Sequence, residues 1–235
     1  PIRDGVPRFV EQTAELDTVE SFGDQWNYFN FDDFRSNWLG HTIKNTFGSP
    51  DVFRGRVVVD AGAGSGMQSK WIAETGAKQV IALELSHSVD DVMKRNLQGL
   101  DNVDVIQCSI DRIPLRDASI DGIVMCHNVI QHTPSVEKTA RELWRIVGTG
   151  GEFAFNCYPK NDKGIVRKVR LAINLALRRF LTRRSFRFRL SYARLMGVLR
   201  FVPIVGRFLE KTMFMVRGEV LPGAGYMRRA YRTAV

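Results

Sequence analysis

The chain has 235 residues, of which 44% are hydrophobic, 25% charged and 10% aromatic. That composition excludes a wholly disordered chain, a collagen-like repeat and a disulfide scaffold, and suits one large α/β domain or one domain with an appendage. The net charge of +9 is unevenly spread: residues 1–162 hold 16 bases and 23 acids, Lys163 to Lys211 hold 14 bases and the single acid Glu210, and the last 24 residues hold 4 bases and one acid.

No stretch approaches about 18 consecutive apolar residues, so a spanning helix is not expected. The opening Pro1-Ile2-Arg3-Asp4 has neither an initiator Met nor the apolar run of a signal peptide. Cys108, Cys126 and Cys157 form no paired motif and read as reduced thiols of a cytoplasmic protein.

Taken in chain order, residues 1–50 crowd Phe22, Trp26, Tyr28, Phe29, Phe31, Phe34 and Trp38 between polar residues. Their spacing predicts an N-terminal helical cap whose apolar face covers either the neighbouring core or a ligand pocket. Pro50-Asp51 marks a boundary. A second region, 51–160, then alternates short β-branched runs with helical stretches. Strands are expected at 56–60, 79–84, 103–107, 120–126 and 150–156, with helices at 67–75, 88–97 and 135–147. This pattern predicts a doubly wound, Rossmann-like, mostly parallel sheet, with its ligand outside the carboxyl ends of the strands.

Residues 161–235 read as a basic helical lid or insertion after the fifth strand, ending in a C-terminal segment. Within it 164–184 reads as a helix with Arg167, Arg170 and Arg178 on one face, and Pro203 and Gly206 are expected to interrupt any longer helix beyond it. A basic amphipathic stretch of this kind covers its own domain, lies on an anionic membrane, or meets RNA or phosphate. RNA ranks last, because aromatic residues suited to base stacking are few.

The chemistry-bearing segment is Asp60-Ala61-Gly62-Ala63-Gly64-Ser65-Gly66, directly after the first of these strands. Glycines at 62 and 64 permit positive φ and close approach to the backbone, and Gly66 opens a helix whose free N–H groups favour negative charge. Glu84 ends the next strand, where a carboxylate accepts hydrogen bonds from vicinal ribose hydroxyls.

These residues resemble the class I S-adenosylmethionine-dependent methyltransferases, in particular the branch called methyltransferase type 11. Further segments match in order: Cys108 to Pro114, Ser119-Ile120-Asp121-Gly122-Ile123-Val124, Val129-Ile130-Gln131-His132, and Arg141 to Ile146 followed by Gly150-Gly151. The resemblance covers about residues 55–157. It implies S-adenosyl-L-methionine as cofactor, with Asp60, Gly62, Gly64, Gly66, Glu84, Ser109, Ile110 and Cys126 as its binding set. The adenine segment departs from the family pattern: Ser109 stands where an Asp is usual, and Asp111 comes two residues later.

Methyl transfer to a hydroxyl needs a base, and His127 and His132, beside the fourth strand's end, are the candidate catalytic residues. Five positions apart, they do not share a helix face, and no metal site is expected. Cys126 reads as a small residue closing its strand, and Trp26 and Phe29 as aromatic faces for a sulfonium. The expected acceptor is a small or lipid-like molecule, with residues 163–211 offered to an anionic membrane surface and nucleic acid not favoured. The family's closing hairpin of strands six and seven finds room only in Met213-Phe214-Met215-Val216, which reads as a sign of a piece of a longer protein. Competing readings are a non-catalytic adaptor of the same fold and an NAD-dependent oxidoreductase, whose fingerprint would put its third glycine at Met67.

Overall fold

The computed structural model describes residues 1–10, 16–28, 31–156, 172–173, 175–177, 179–181, 183–199 and 202. The chain divides into two compact units, Pro1–Pro159 and Lys160–Val235. Among the described residues of the first, β1 (Ile2–Arg3), β2 (Val6–Phe9), β3 (Val57–Ala61), β4 (Gln79–Glu84), β5 (Val103–Cys108), β6 (Ile123–Cys126) and β7 (Glu152–Phe155) form one sheet. Its order is β1-β2-β5-β4-β3-β6-β7. All pairings are parallel except β1 with β2. The chain leaves β3 for β4 and β5 on one side, then returns to lay β6 and β7 on the other, so strand order reverses between β3 and β6.

Central strands of a doubly covered sheet must be apolar on both faces. Val58, Ile123 and Met125 join the core cluster of Trp38, Phe53, Trp71 and Ile72. Val59, Val124 and Cys126 join the opposite cluster, built on Ile110, Ile130, Leu143 and Ile146. The period of two therefore sorts successive residues of one strand into different cores.

Helices follow the strands: α1 (Leu16–Tyr28) precedes the core sheet, α2 (Met67–Glu74) follows β3, α3 (Val92–Leu97) follows β4, and α4 (Val136–Arg145) follows β6. Ser135 caps α4 by accepting the Lys138 N–H at 3.2 Å. Predicted boundaries move inward at two places. His87–Val89 is a separate 3-10 turn ahead of α3, and Ile120 makes only an isolated bridge to Val147, so β6 starts at Ile123.

The helical cap expected over residues 1–50 is corrected at its start. Residues 2–9 are a β-hairpin whose Asp4-Gly5 turn has φ of 51° and 79°, the left-handed pair of a two-residue hairpin turn. β2 then extends the sheet beside β5, where Arg8 donates to Gln107 Oε1 and Asp90 Oδ1, each at 2.6 Å. The rest of the segment is helical, including short turns from Asp32 to Phe47 and a π-helical stretch at Trp38–Ile43. Its aromatics divide between the two uses weighed for them. Trp38 is buried against Phe53 and Trp71, while Phe22 and Trp26 line a crevice.

In the second unit, residues 172–173, 175–177 and 179–181 are helical, and α5 spans Phe186–Leu199. The predicted strand at 213–216 with the expected closing hairpin, Phe29 and Cys157 lie outside the described residues. Among those residues, no helix is long and apolar enough to cross a membrane.

Candidate cofactor crevice

The reversal of strand order opens a crevice at the carboxyl ends of β3, β4, β5 and β6. Each strand supplies the residues that follow its end: Gly62 after β3, Glu84 to Ser86 at β4, Ser109 and Ile110 after β5, Asn128 and Val129 after β6. Helix α1 contributes Val19, Phe22 and Trp26, which recur at three and four residues and so share one face.

The glycine loop is pinned at successive peptide groups. Gly62 and Ala63 N–H both donate to the Leu83 carbonyl, at 2.8 and 2.9 Å. Gly64 N–H donates to Glu84 Oε2 at 2.7 Å, while the other Glu84 oxygen accepts from Ser86 N–H at 2.8 Å. The Ser88 hydroxyl donates to the Gly64 carbonyl at 2.7 Å, and the Asn96 amide to the Ser65 carbonyl at 2.8 Å. Gly62 and Gly64 have φ of 85° and 59°. A Cβ on Gly62 would come within 2.5 Å of the Val129 side chain, and one on Gly64 within 2.8 Å of the Trp26 indole. The glycines thus let two side chains lie directly on the backbone.

Ser86, Ser88 and Asn96 were not singled out from sequence. The Ser-x-Ser pattern after Glu84 was their available signal, since Ser86 caps the short turn by accepting the Ser88 N–H. Asn128 and Asn156 were likewise missed as a pair. Asn128 takes φ of 60°, its N–H donates to Asn156 Oδ1 at 2.5 Å, and Asn156 Nδ2 donates back to its Oδ1 at 2.9 Å. This reciprocal bond ties the loop after β6 to the end of β7.

The predicted binding set is only partly brought together. Gly62, Glu84, Ser109 and Ile110 line the crevice. Asp60 and Cys126 are buried behind it, and Gly66 serves as the left-handed residue that opens α2. Burial, and to a lesser degree the Glu84 charge, lift the Asp60 carboxyl to about 6, against the opposing Ser69 hydroxyl bond of 2.6 Å. Burial pushes the Cys108 and Cys126 thiols up to about 12, so neither is a thiolate nucleophile near neutral pH.

A raised folded-state pKa makes the Asp60 contribution to stability complete below its ordinary 3.8 and lost as pH rises through about 6. Asp60→Asn is therefore expected to gain on the parent by roughly 2 kcal/mol between pH 4 and pH 7. Urea unfolding of both proteins at the two pH values measures this. A difference that does not vary with pH would show that Asp60 is not held uncharged by its surroundings.

Of the two histidines, His132 lines the crevice, its ring 5.1 Å from that of Phe22. His127 is absent from the lining and stands edge-on to Trp38 at 6.3 Å, where burial lowers its pKa. On the β5 side, the Ser109 hydroxyl donates to Asp111 Oδ1 at 2.6 Å, and Lys138 bonds the other carboxylate oxygen at 2.9 Å. Burial raises the Asp111 carboxyl, but Ser109 and Lys138 together outweigh it and hold it below its ordinary value. With its proton directed at Asp111, Ser109 has oxygen lone pairs left for the crevice.

The residues fit the group that the resemblance implies. A buried carboxylate whose two oxygens each accept one N–H retains lone pairs for hydroxyl donors, and it stands beside a glycine loop and an oxygen acceptor after the neighbouring strand.

Residues 59–155 match the family described as Methyltransferase domain. The ubiquinone biosynthesis O-methyltransferase of Coxiella burnetii is 27% identical over 112 residues, 48% of this chain and 47% of that protein. The sarcosine/dimethylglycine N-methyltransferase of Halorhodospira halochloris is 32% identical over 101 residues, 42% of this chain and 36% of that one. The matches thus span half or less of these curated relatives. The solved structure of YcgJ from Bacillus subtilis is 25% identical, with a TM-score of 0.49 over 60% of this chain and 58% of its own. The match over residues 59–155 is thus to a methyltransferase domain, in line with the resemblance to the class I S-adenosylmethionine-dependent methyltransferases.

Proposed function

We propose that this protein transfers the methyl group of S-adenosylmethionine to a small-molecule or lipid-like acceptor. The supporting observation is Glu84: a buried carboxylate at the carboxyl end of β4, bonded to the Gly64 N–H, in the crevice where strand order reverses. Bound there, S-adenosylmethionine would supply an electrophilic methyl on a sulfonium. Glu84 would accept the ribose hydroxyls with its remaining lone pairs, and Ser109, its proton held by Asp111, would accept from the adenine amine. Leu85 and Ile110 offer apolar walls, and Phe22 and Trp26 on α1 exclude water and present ring faces that suit a cation.

Holding an acceptor in line with the transferred group accounts for roughly 7–11 kcal/mol of barrier lowering, so a base is needed only for a weakly acidic acceptor such as a hydroxyl. His132, which lines the crevice, is the residue proposed to take that proton; His127 would act from outside the lining. The two relatives are named for an O-methylation in ubiquinone biosynthesis and for an N-methylation of sarcosine and dimethylglycine. We place the protein in the cytoplasm, with peripheral contact to an anionic membrane through residues 163–211.

Against a dinucleotide oxidoreductase stands Met67, which fills the third-glycine position and is packed in the core at 4% exposure. The adaptor reading predicts binding of neither nucleotide. Calorimetric titration separates the three: the expected result is saturable heat with S-adenosylmethionine and none with NAD. Heat with NAD alone, or with neither, would overturn the proposal. Labelled methyl transfer into fractionated metabolite extracts would then identify the acceptor.

A further inference from the structure

The second unit carries a surface of unusual composition. In α5 the exposed positions are Arg187, Phe188, Ser191, Arg194, Leu195 and Val198. At 3.6 residues per turn these fall within roughly one third of the helix circumference. The arc has a basic margin, Arg187 and Arg194, and an apolar margin, Phe188 and Leu195, with Val198 and Ser191 between. Phe188, Leu195 and Val198 are 45, 53 and 57% exposed, which is far from the helix's inward positions Arg189 and Ala193. Arg189, turned inward, is accommodated over the Phe186 ring at 5.7 Å.

At the N-terminal end of α5 the same chemistry is concentrated. The Arg184 guanidinium lies 4.6 Å from the centre of the Phe180 ring and 5.9 Å from that of Phe188, and the two rings meet edge to face at 6.2 Å. Phe180 is also exposed, at 46%. An arginine fixed over two outward aromatic rings presents a cation and apolar surface to one partner together.

We propose that this face of α5, with the Phe180–Arg184–Phe188 cluster at its head, seats on an anionic lipid bilayer, the rings and aliphatic side chains entering the acyl boundary and the arginines reaching phosphate. The inference rests on the membrane contact proposed above and assigns the residues that make it. Three observations favour this partner. The segment from Lys163 to Lys211 holds 14 bases to one acid, which complements a negatively charged lipid surface. The apolar margin is partly aliphatic, and aliphatic chains gain from hydrocarbon but offer nothing to the stacking of RNA bases. A second copy of the chain would repeat the same positive charge, since α5 carries no acidic residue to complement its arginines. Long arginine side chains suit the bilayer boundary because their stems stay apolar while their heads reach water and phosphate.

The test is vesicle flotation of the full chain, using phosphatidylcholine alone or mixed equally with phosphatidylglycerol, at low and high salt. The expected result is flotation with the mixed vesicles only, fading as salt rises. The double variant Phe188→Ser/Leu195→Ser should lower the bound fraction at least fivefold, and Arg184→Ala/Arg187→Ala should both lower it and flatten the salt dependence. Circular dichroism and S-adenosylmethionine titration, run on each variant, identify any that misfolds; Val198→Asp is the replacement for such a variant. Equal flotation with neutral vesicles, no flotation, or variants that float like the parent would each overturn the proposal. Flotation without cofactor binding would leave this inference standing and remove the methyltransferase reading; cofactor binding without flotation would do the reverse.

Discussion

Gly64→Val is expected to lower affinity for S-adenosylmethionine by roughly a hundredfold or more, a loss of about 3 kcal/mol. Two separate effects act in the same direction. The residue sits at φ of 59°, a left-handed conformation that β-branched side chains strongly disfavour, so the loop must rotate to accept valine. In addition, the new Cβ would lie 2.8 Å from the Trp26 indole, so the α1 wall of the crevice must shift as well. Rotation would withdraw the Gly64 N–H from Glu84 and the Gly64 carbonyl from Ser88, releasing both sides of the loop.

The two effects can be told apart by adding Trp26→Ala, which removes the clash and leaves the backbone strain. If the conformation dominates, the double variant stays as weak as Gly64→Val; if the clash dominates, affinity returns toward that of Trp26→Ala alone. Calorimetry on the four proteins of the cycle gives the answer. Full affinity in Gly64→Val would mean that the cofactor does not use this loop.

The reach of sequence reading in this molecule depends on how local each determinant is. β3 and β6 were legible because strands covered on both faces need apolar runs, and Val57–Val59 and Ile123–Cys126 supply them. The glycine loop and Glu84 were legible because turn chemistry and strand ends are written within a few residues. The N-terminal hairpin had a local signal, Asp4-Gly5, that the aromatic pattern downstream obscured. Its docking beside β5 depends on Arg8 meeting Asp90 and Gln107, partners 82 and 99 residues away. The same limit hid the Asn128–Asn156 bond, 28 residues apart. The Lys138–Asp111–Ser109 chain was hidden likewise, since Lys138 stands 27 residues from Asp111.

Glu84→Gln separates the two tasks that meet in that carboxylate. As a structural group it accepts the Gly64 and Ser86 N–H donors at 2.7 and 2.8 Å while 8% exposed. An amide retains one acceptor oxygen and turns an NH₂ toward the other donor, leaving one buried N–H unpaired at a cost of about 1–3 kcal/mol in stability. Removing the negative charge also lowers the Asp60 pKa, to which Glu84 contributes, so the pH dependence described for Asp60 should weaken in this variant. As a ligand group it would lose its charge-assisted bonds to the ribose hydroxyls, which predicts roughly ten- to hundredfold weaker S-adenosylmethionine binding. Urea unfolding reads the first effect and calorimetry the second, at a temperature where both proteins are folded. The ratio of adenosyl to 2′-deoxyadenosyl donor affinity supplies an internal control. It should fall toward unity in Glu84→Gln if the carboxylate grips the ribose, and stay constant if the variant only loosens the loop. A protein destabilised as expected but with parental affinity and parental ribose discrimination would confine Glu84 to holding the backbone, and the cofactor assignment would lose its carrying residue.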